Sequence, residues 1–246
     1  MSEENFSVDS IWDASLKIQQ SRHGYRFALD AILLAHFLRI EASENALEIG
    51  CGNGIIPILL SRLKKYRKIV AVEIQSELAN LARVNVERNH AQQIEVIQAD
   101  ALQLREKLPA KAFDLVYSNP PYRKLGTGKL NPSREKAIAR HEINLRLEDF
   151  VSLADHFLRN NGRLSVILPA FREKDLMQLL ALERYFLSER QYVHSFRNDP
   201  PSFFLATAMK GPVKIHEIPP LIIYDKPGEY TAEMASLLTR PSESAG

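Results

Sequence analysis

The 246-residue chain has a single cysteine, Cys51, which rules out an internal disulfide and a cysteine-built zinc site. Its seven histidines follow no metal-ligand spacing, so no metal is expected. No apolar run approaches the roughly 20 residues that a bilayer-spanning helix needs. The opening residues Met1-Ser2-Glu3-Glu4-Asn5 lack the basic start and apolar core of a signal peptide. Together these absences lead us to expect a cytoplasmic protein with no membrane partner. Net charge is also scarce, at +2, so the chain lacks the overall basicity of a protein that coats nucleic acid. There is no internal repeat and no low-complexity stretch.

The positive charge that is present is concentrated. Arg123, Lys124, Lys129, Arg134, Lys136 and Arg140 stand against Glu135 alone, giving a +5 segment and leaving the rest of the chain at about −3. A local basic patch on a near-neutral body suits a phosphate-bearing partner. Hydrophobic content of 45% and charged content of 25% are those of an ordinary globular protein. The length fits one large domain, or one domain with extensions.

Residues 1–12 read as a loose leader. Leu16 to Gln20 alternates like a strand, Ser21-Arg22-His23-Gly24 supplies a turn, and Tyr25-Arg26-Phe27 reads as the return strand. Asp30 is placed to cap an all-apolar, buried helix through Ala31 to Leu38. From Ala46 onward strands and helices alternate. Strands are expected at Ala46–Ile49, Lys68–Glu73, Ile94–Gln98, Phe113–Tyr117, Arg163–Leu168 and, late, Phe203–Met209. Helices are expected from Ile55 to about Tyr66, Ser76 to Asn89, Leu147 to Arg159 and Arg172 to Tyr185. Alternation of this kind implies an α/β fold with a mainly parallel sheet and helices on both faces. Tyr230 to Arg240 carries a short helical pattern, and Pro241 onward reads as disordered.

Two stretches carry chemistry. Gly50-Cys51-Gly52-Asn53-Gly54 follows the first sheet strand, where glycines permit positive φ and let a ligand touch the backbone. The spacing is G-x-G-x-G, not the G-x-G-x-x-G of a pyrophosphate cradle, and Glu48 precedes it, so a compact uncharged or cationic ligand is favoured. Glu73 ends the second strand, where a carboxylate can accept both hydroxyls of a ribose. Asp100, followed by Ala101, ends the third and is suited to accept from an adenine amine. The second stretch, Asn119-Pro120-Pro121-Tyr122, follows the fourth strand. Its prolines stop that strand and stiffen the loop. A planar nitrogen on a base or amide has a delocalised lone pair and is a poor nucleophile. Accepting its N–H groups on the Asn119 amide oxygen and a proline carbonyl favours the pyramidal, reactive form, while Tyr122 stacks on the flat substrate.

Leu47-Glu48-Ile49-Gly50-Cys51-Gly52-Asn53-Gly54, Glu73, Asp100 and Asn119-Pro120-Pro121-Tyr122, taken in order, resemble a class I S-adenosylmethionine-dependent methyltransferase of the amino-methylating branch. That branch modifies adenine N6, cytosine N4, guanine N2 or glutamine side chains. Gly24 to Ala35, the loop ending Arg140-His141-Glu142, and Tyr230-Thr231-Ala232-Glu233-Met234 are similar to the bacterial tRNA adenine-N6 methyltransferases that act on the valine tRNA anticodon loop. The resemblance implies a Rossmann-like fold with a seven-stranded, mainly parallel sheet and one late antiparallel strand. S-adenosylmethionine is the implied cofactor, with tRNA or another RNA as partner. Carried over by position, Arg26, Phe27 and Asp30 would enclose the methionine end. Glu48, Gly50, Gly52, Gly54, Glu73, Asp100, Ala101 and Asn119 would hold the rest. Asn119, Pro120 and Tyr122 would be catalytic, and Pro121, Tyr122, Arg123, Lys129, Arg134, Arg140 and His141 would meet the substrate.

The organisation expected is an N-terminal extension over 1–44, a catalytic domain over 45–210 and a C-terminal extension over 211–246. Cys51 has no basic partner in view and reads as a small structural residue. A release-factor glutamine methyltransferase would carry a separate helical N-terminal domain, and a DNA adenine methyltransferase a target-recognition domain. Neither is visible. A non-catalytic RNA-binding protein on the same fold would not need the Gly loop, Glu73 and Asn119 intact.

Overall fold

The computed structural model describes residues 6–12, 15–21, 29–120 and 145–239. It opens with a hairpin, β1 (Phe6–Ile11) antiparallel to β2 (Leu16–Ser21), with Asp9 opposite Ile18. Residues 6–11 are therefore not a loose leader. Trp12, buried at the end of β1, donates its indole N–H to the Leu237 carbonyl at 3.2 Å. The return strand expected at Tyr25–Phe27 lies outside the described residues. Helix α1 (Leu29–Phe37) is apolar nearly all round and buried.

Next come β3 (Asn45–Ile49), α2 (Ile55–Leu63), β4 (Lys68–Glu73), α3 (Ser76–Arg88), β5 (Ile94–Gln98), a 3₁₀ turn (Ala101–Glu106) and β6 (Phe113–Ser118). After residue 144 the chain continues with α4 (Leu147–Phe157), β7 (Leu158–Pro169), α5 (Glu173–Leu182), β8 (Tyr185–His194), β9 (Pro201–Lys210) and β10 (His216–Ile222). A short ladder, β11 (Tyr224–Lys226) with β12 (Glu229–Tyr230), and α6 (Ala232–Leu238) complete it.

The central sheet has eight strands in the order β10-β8-β9-β7-β6-β3-β4-β5, one more than the seven expected. β9 is antiparallel to both its neighbours, and the remaining pairs in the sheet are parallel. The late antiparallel strand was expected at Phe203–Met209. β8 and β10 were not read. β8 holds Ser188, Glu189, Arg190 and Gln191 at mid-strand, and Arg190 is paired to Glu173 at 2.8 Å and Glu217 at 2.7 Å. β10 contains Pro219-Pro220, which an edge strand tolerates, and its register shifts between Ile218 and Leu221.

The central strands of the sheet send alternate side chains into two cores. Ala46, Leu115 and Tyr117 join Leu34, Ile58, Ala82 and Met234 on the face covered by α1, α2, α3, α6 and the hairpin. Leu47, Ile49 and Val116 join Phe150, Phe157 and Leu176 on the face covered by α4 and α5. Strand order reverses at β3, with β4 and β5 on one side and β6 on the other. An open α/β sheet leaves a crevice beyond the carboxyl ends of its strands at such a point.

Candidate active site

Because β3, β4, β5 and β6 are parallel, their carboxyl ends share one edge. There a crevice is lined by Ile49, Gly50, Val72, Glu73, Ile74, Ala99, Asp100, Ala101, Ser118, Asn119, Pro120 and Leu145. Its empty volume is about 480 Å³ including the open mouth.

The glycine loop is built around left-handed backbone. Gly50, Gly52 and Gly54 have φ of 79°, 57° and 80°, which side-chain-bearing residues rarely adopt. The N–H groups of Gly50 and Cys51 both donate to the Val72 carbonyl at 2.9 Å, tying the loop to β4. A Cβ on Gly50 would meet nothing within 4 Å, so the space beside it is free for a ligand. One on Gly54 would stand 3.2 Å from Ala82 Cβ, so that glycine lets α2 and α3 pack closely.

Glu73 braces the loop. Its Oε2 accepts from the Gly52 N–H and its Oε1 from the Gln75 N–H, both at 2.9 Å. A carboxylate offers about four lone-pair sites, so acceptor capacity remains for ligand hydroxyls. Asp100 Oδ1 accepts from the Leu102 N–H at 2.9 Å, capping the 3₁₀ turn. Ser118 Oγ donates to the Ile49 carbonyl at 2.7 Å, locking the ends of β6 and β3 together beneath Asn119. The walls between these groups are apolar, and no lysine or arginine is among the described lining residues. Two acidic side chains with apolar walls fit a flat aromatic ligand that carries hydroxyls and positive charge, and not a pyrophosphate.

Glu48 lies under the loop, on the opposite face of β3 from Ile49, and is fully buried. Tyr117 Oη donates to its Oε2 at a long 3.4 Å, and its Oε1 has no partner. Burial first, and the charge of Glu73 second, push its carboxyl up to about 8, against the pull of the Tyr117 hydroxyl. Burial, with Glu48 and Glu73 nearby, also drives the Cys51 thiol well up. That disfavours the thiolate a nucleophile needs and agrees with a structural role. Asn53 is fully buried with both side-chain polar atoms unpartnered.

Gly50, Glu73, Asp100, Ala101, Asn119 and Pro120 are thus brought to one crevice. Glu48, Gly52 and Gly54 support it from beneath and beside. Asp30 sits in the first turn of α1 with Oδ1 on the Ala31 N–H at 2.8 Å, and it is not part of the crevice wall. Arg26, Phe27, Pro121, Tyr122, Arg123, Lys129, Arg134, Arg140 and His141 lie outside the described residues. Ile49, Val72, Ile74, Ala99, Ser118 and Leu145 were not read as site residues. The available signal was that each but Leu145 directly adjoins a residue that was.

The profile of the methyltransferase small domain matches residues 28–193, well over half of the chain. The chain belongs to the methyltransferase small domain family. Proteins named tRNA1(Val) (adenine(37)-N6)-methyltransferase are similar along most of their length. The one from Porphyromonas gingivalis is 29% identical, with 89% of this chain and 89% of that protein covered. The one from Pasteurella multocida is also 29% identical, with 89% and 91% covered. Among solved structures, a predicted O-methyltransferase from Agrobacterium tumefaciens has a TM-score of 0.66 at 22% identity, covering 88% of this chain and all of that one. M. jannaschii TYW2 in complex with AdoMet has a TM-score of 0.57 at 12% identity, covering 86% of this chain and 89% of that one. At these identities the structural likenesses speak for the fold. Among the described residues of this methyltransferase no group of three His, Cys, Asp or Glu is placed to hold a metal, and no helix is long and apolar enough to cross a membrane.

Proposed function

We propose that this methyltransferase binds S-adenosylmethionine in the crevice and methylates N6 of adenine 37 in tRNA1(Val), the activity named for its relatives. The observation that carries the reading is the convergence of Gly50, Glu73, Asp100 and Asn119-Pro120 on one crevice at four adjacent strand ends. Glu73 is suited to ribose hydroxyls, Asp100 to an adenine amine, and the open backbone at Gly50 to close approach of the ligand. When bound, S-adenosylmethionine supplies an electrophilic methyl group on a sulfonium.

The acceptor amine has its lone pair delocalised into the base. The Asn119 amide oxygen and the Pro120 carbonyl accept its N–H groups, which favours a pyramidal nitrogen with its lone pair available. With the donor bound, the N–C bond would form as the donor's C–S bond breaks with the bonding pair left on sulfur, and the extra proton on nitrogen would leave to solvent. Tyr122 and Pro121 are assigned to the base. Arg123, Lys129, Arg134, Arg140 and His141 are assigned to the flanking nucleotides, since phosphates require cations and an enzyme acting on a base takes it unstacked into its pocket. We assign residues 45–210 to the catalytic domain, with 1–44 and 211–246 as extensions, and place the enzyme with its tRNA in the cytoplasm.

Methyl transfer to a tRNA1(Val) transcript tests this directly. N6-methyladenosine should be recovered from the transcript with adenine at 37 and not from one with guanine there. Label recovered in another nucleotide, or only in a release-factor peptide, would overturn the reading.

A further inference from the structure

A two-stranded hairpin is marginal by itself, and among the described residues the outer edge of β2 pairs with no further strand. It pairs with α3 instead. The Lys17 N–H donates to Asn89 Oδ1 at 3.1 Å, and Asn89 Nδ2 donates to the Lys17 carbonyl at 3.0 Å. One helical turn earlier the pattern repeats. The Gln19 N–H donates to Asn85 Oδ1 at 2.7 Å, and Asn85 Nδ2 donates to the Gln19 carbonyl at 3.0 Å. Four residues of helix rise about 6.0 Å and two of strand about 6.6 Å, so the ladders run in step. Each carboxamide offers an acceptor and two donors and so stands in for a neighbouring strand. Both asparagines are buried.

They differ in where the remaining Nδ2 hydrogen goes. Asn89 donates it to the Asn85 carbonyl at 2.8 Å, within α3. Asn85 donates it to the Asn53 carbonyl at 3.0 Å, in the glycine loop. That carbonyl has a particular need. It precedes Gly54, the left-handed N-cap of α2, and so lies outside the ladder of helical rungs. The first rung, from the Ile58 N–H to the Gly54 carbonyl, is present at 3.3 Å. Asn85 therefore supplies a donor to a loop carbonyl that the helix leaves out, and the same amide group holds the hairpin.

We propose that Asn85 is a positioning residue that couples docking of the N-terminal hairpin to the shape of the glycine loop, and through it to affinity for the methyl donor. This rests on the crevice being the S-adenosylmethionine site. Asn89 provides the control, since it makes the same contacts to β2 and none to the loop.

Calorimetry with S-adenosylmethionine on wild type, Asn85→Ala and Asn89→Ala, each with its melting temperature, separates the possibilities. Asn85→Ala should weaken binding on the order of tenfold, with kcat at saturating cofactor within about twofold of wild type. Asn89→Ala should lose comparable stability while keeping affinity within about twofold. Equal weakening in both variants, or none in Asn85→Ala, overturns the coupling. No binding by the wild type overturns the cofactor reading beneath it. If Asn85→Ala does not fold, hydrogen exchange on the wild type decides. Coupling is reciprocal, so saturating S-adenosylmethionine should raise protection of the Gln19 amide by the same order of magnitude, and unchanged protection overturns the proposal.

Discussion

On one side of the sheet the strand ends carry glycines, two carboxylates and an amide around an open crevice. On the other they carry packed side chains. β3, β4, β5 and β6 are mutually parallel, so Gly50, Glu73, Asp100 and Asn119 emerge at one edge. In the β7-β9-β8-β10 half, β9 runs backwards and places its amino end beside the carboxyl end of β7, with Leu168 opposite Phe204 and both buried. A reversed strand fills the edge where a parallel one would open it. The interior follows suit. A hydroxyl pair, Ser165 with Thr207 at 2.9 Å, is satisfied inside the packed half, whereas the open half buries an unpaired carboxyl oxygen on Glu48 and an unpaired amide on Asn53. Chemistry and unsatisfied polarity lie together, and packing lies apart from both.

The largest effect should come from the open half. Asn119→Ala should lower the single-turnover rate on the order of 10²-fold or more, as removal of a preorganised hydrogen-bonding group does, with S-adenosylmethionine affinity retained. A near-wild-type rate would place catalysis elsewhere. Second is the cost of burying Glu48. Its carboxyl ionises near 4.5 unfolded and near 8 in the fold. The fold thus keeps the proton longer, and this group's contribution to stability, fully present below 4.5, is lost as pH rises through about 8. Glu48→Gln removes that loss. Urea melts across this window should show wild type falling relative to the variant on the order of a few kcal/mol, and parallel profiles would refute the buried-acid account.

Glu73→Ala follows. It strips a partner from the Gly52 and Gln75 N–H groups as well as from the ribose, and should cost about 1–3 kcal/mol of cofactor binding by calorimetry. The smallest effect belongs to the packed half. Thr207→Val leaves Ser165 Oγ without its partner and should cost about 1 kcal/mol of stability in denaturant melts, with turnover and cofactor affinity unchanged. A loss of turnover there would erase the division between the halves.

The open half was legible because each of its motifs ends an apolar run that is also a strand. Lys68–Glu73 and Ile94–Gln98 were read to the residue, and Gly50, Glu73, Asp100 and Asn119 fell at the ends of their runs. The packed half hid two strands. β8 is stabilised through ion pairs of Arg190 that do not show as alternation, and β10 carries prolines that an edge position permits. Leu16–Gln20 was read as a strand of a hairpin, but its docking on α3 escaped for a related reason. Asparagine inside or at the end of a helix reads as a weak helix former, and nothing in the order of residues shows that Asn85 and Asn89 face the backbone of β2. Partners far apart in the chain are invisible to local pattern.

Amide chemical-shift mapping of the protein on titration with S-adenosylmethionine tests the central claim most directly. Shifts should cluster in residues 49–54, 72–75, 99–101 and 118–119, the non-proline positions at the four parallel strand ends around the crevice. Amides of β8, β9 and β10 should stay in place. Perturbation centred on the β7-β9 edge, or no perturbation at saturating ligand, would contradict the assignment of the chemistry to the open half of the sheet.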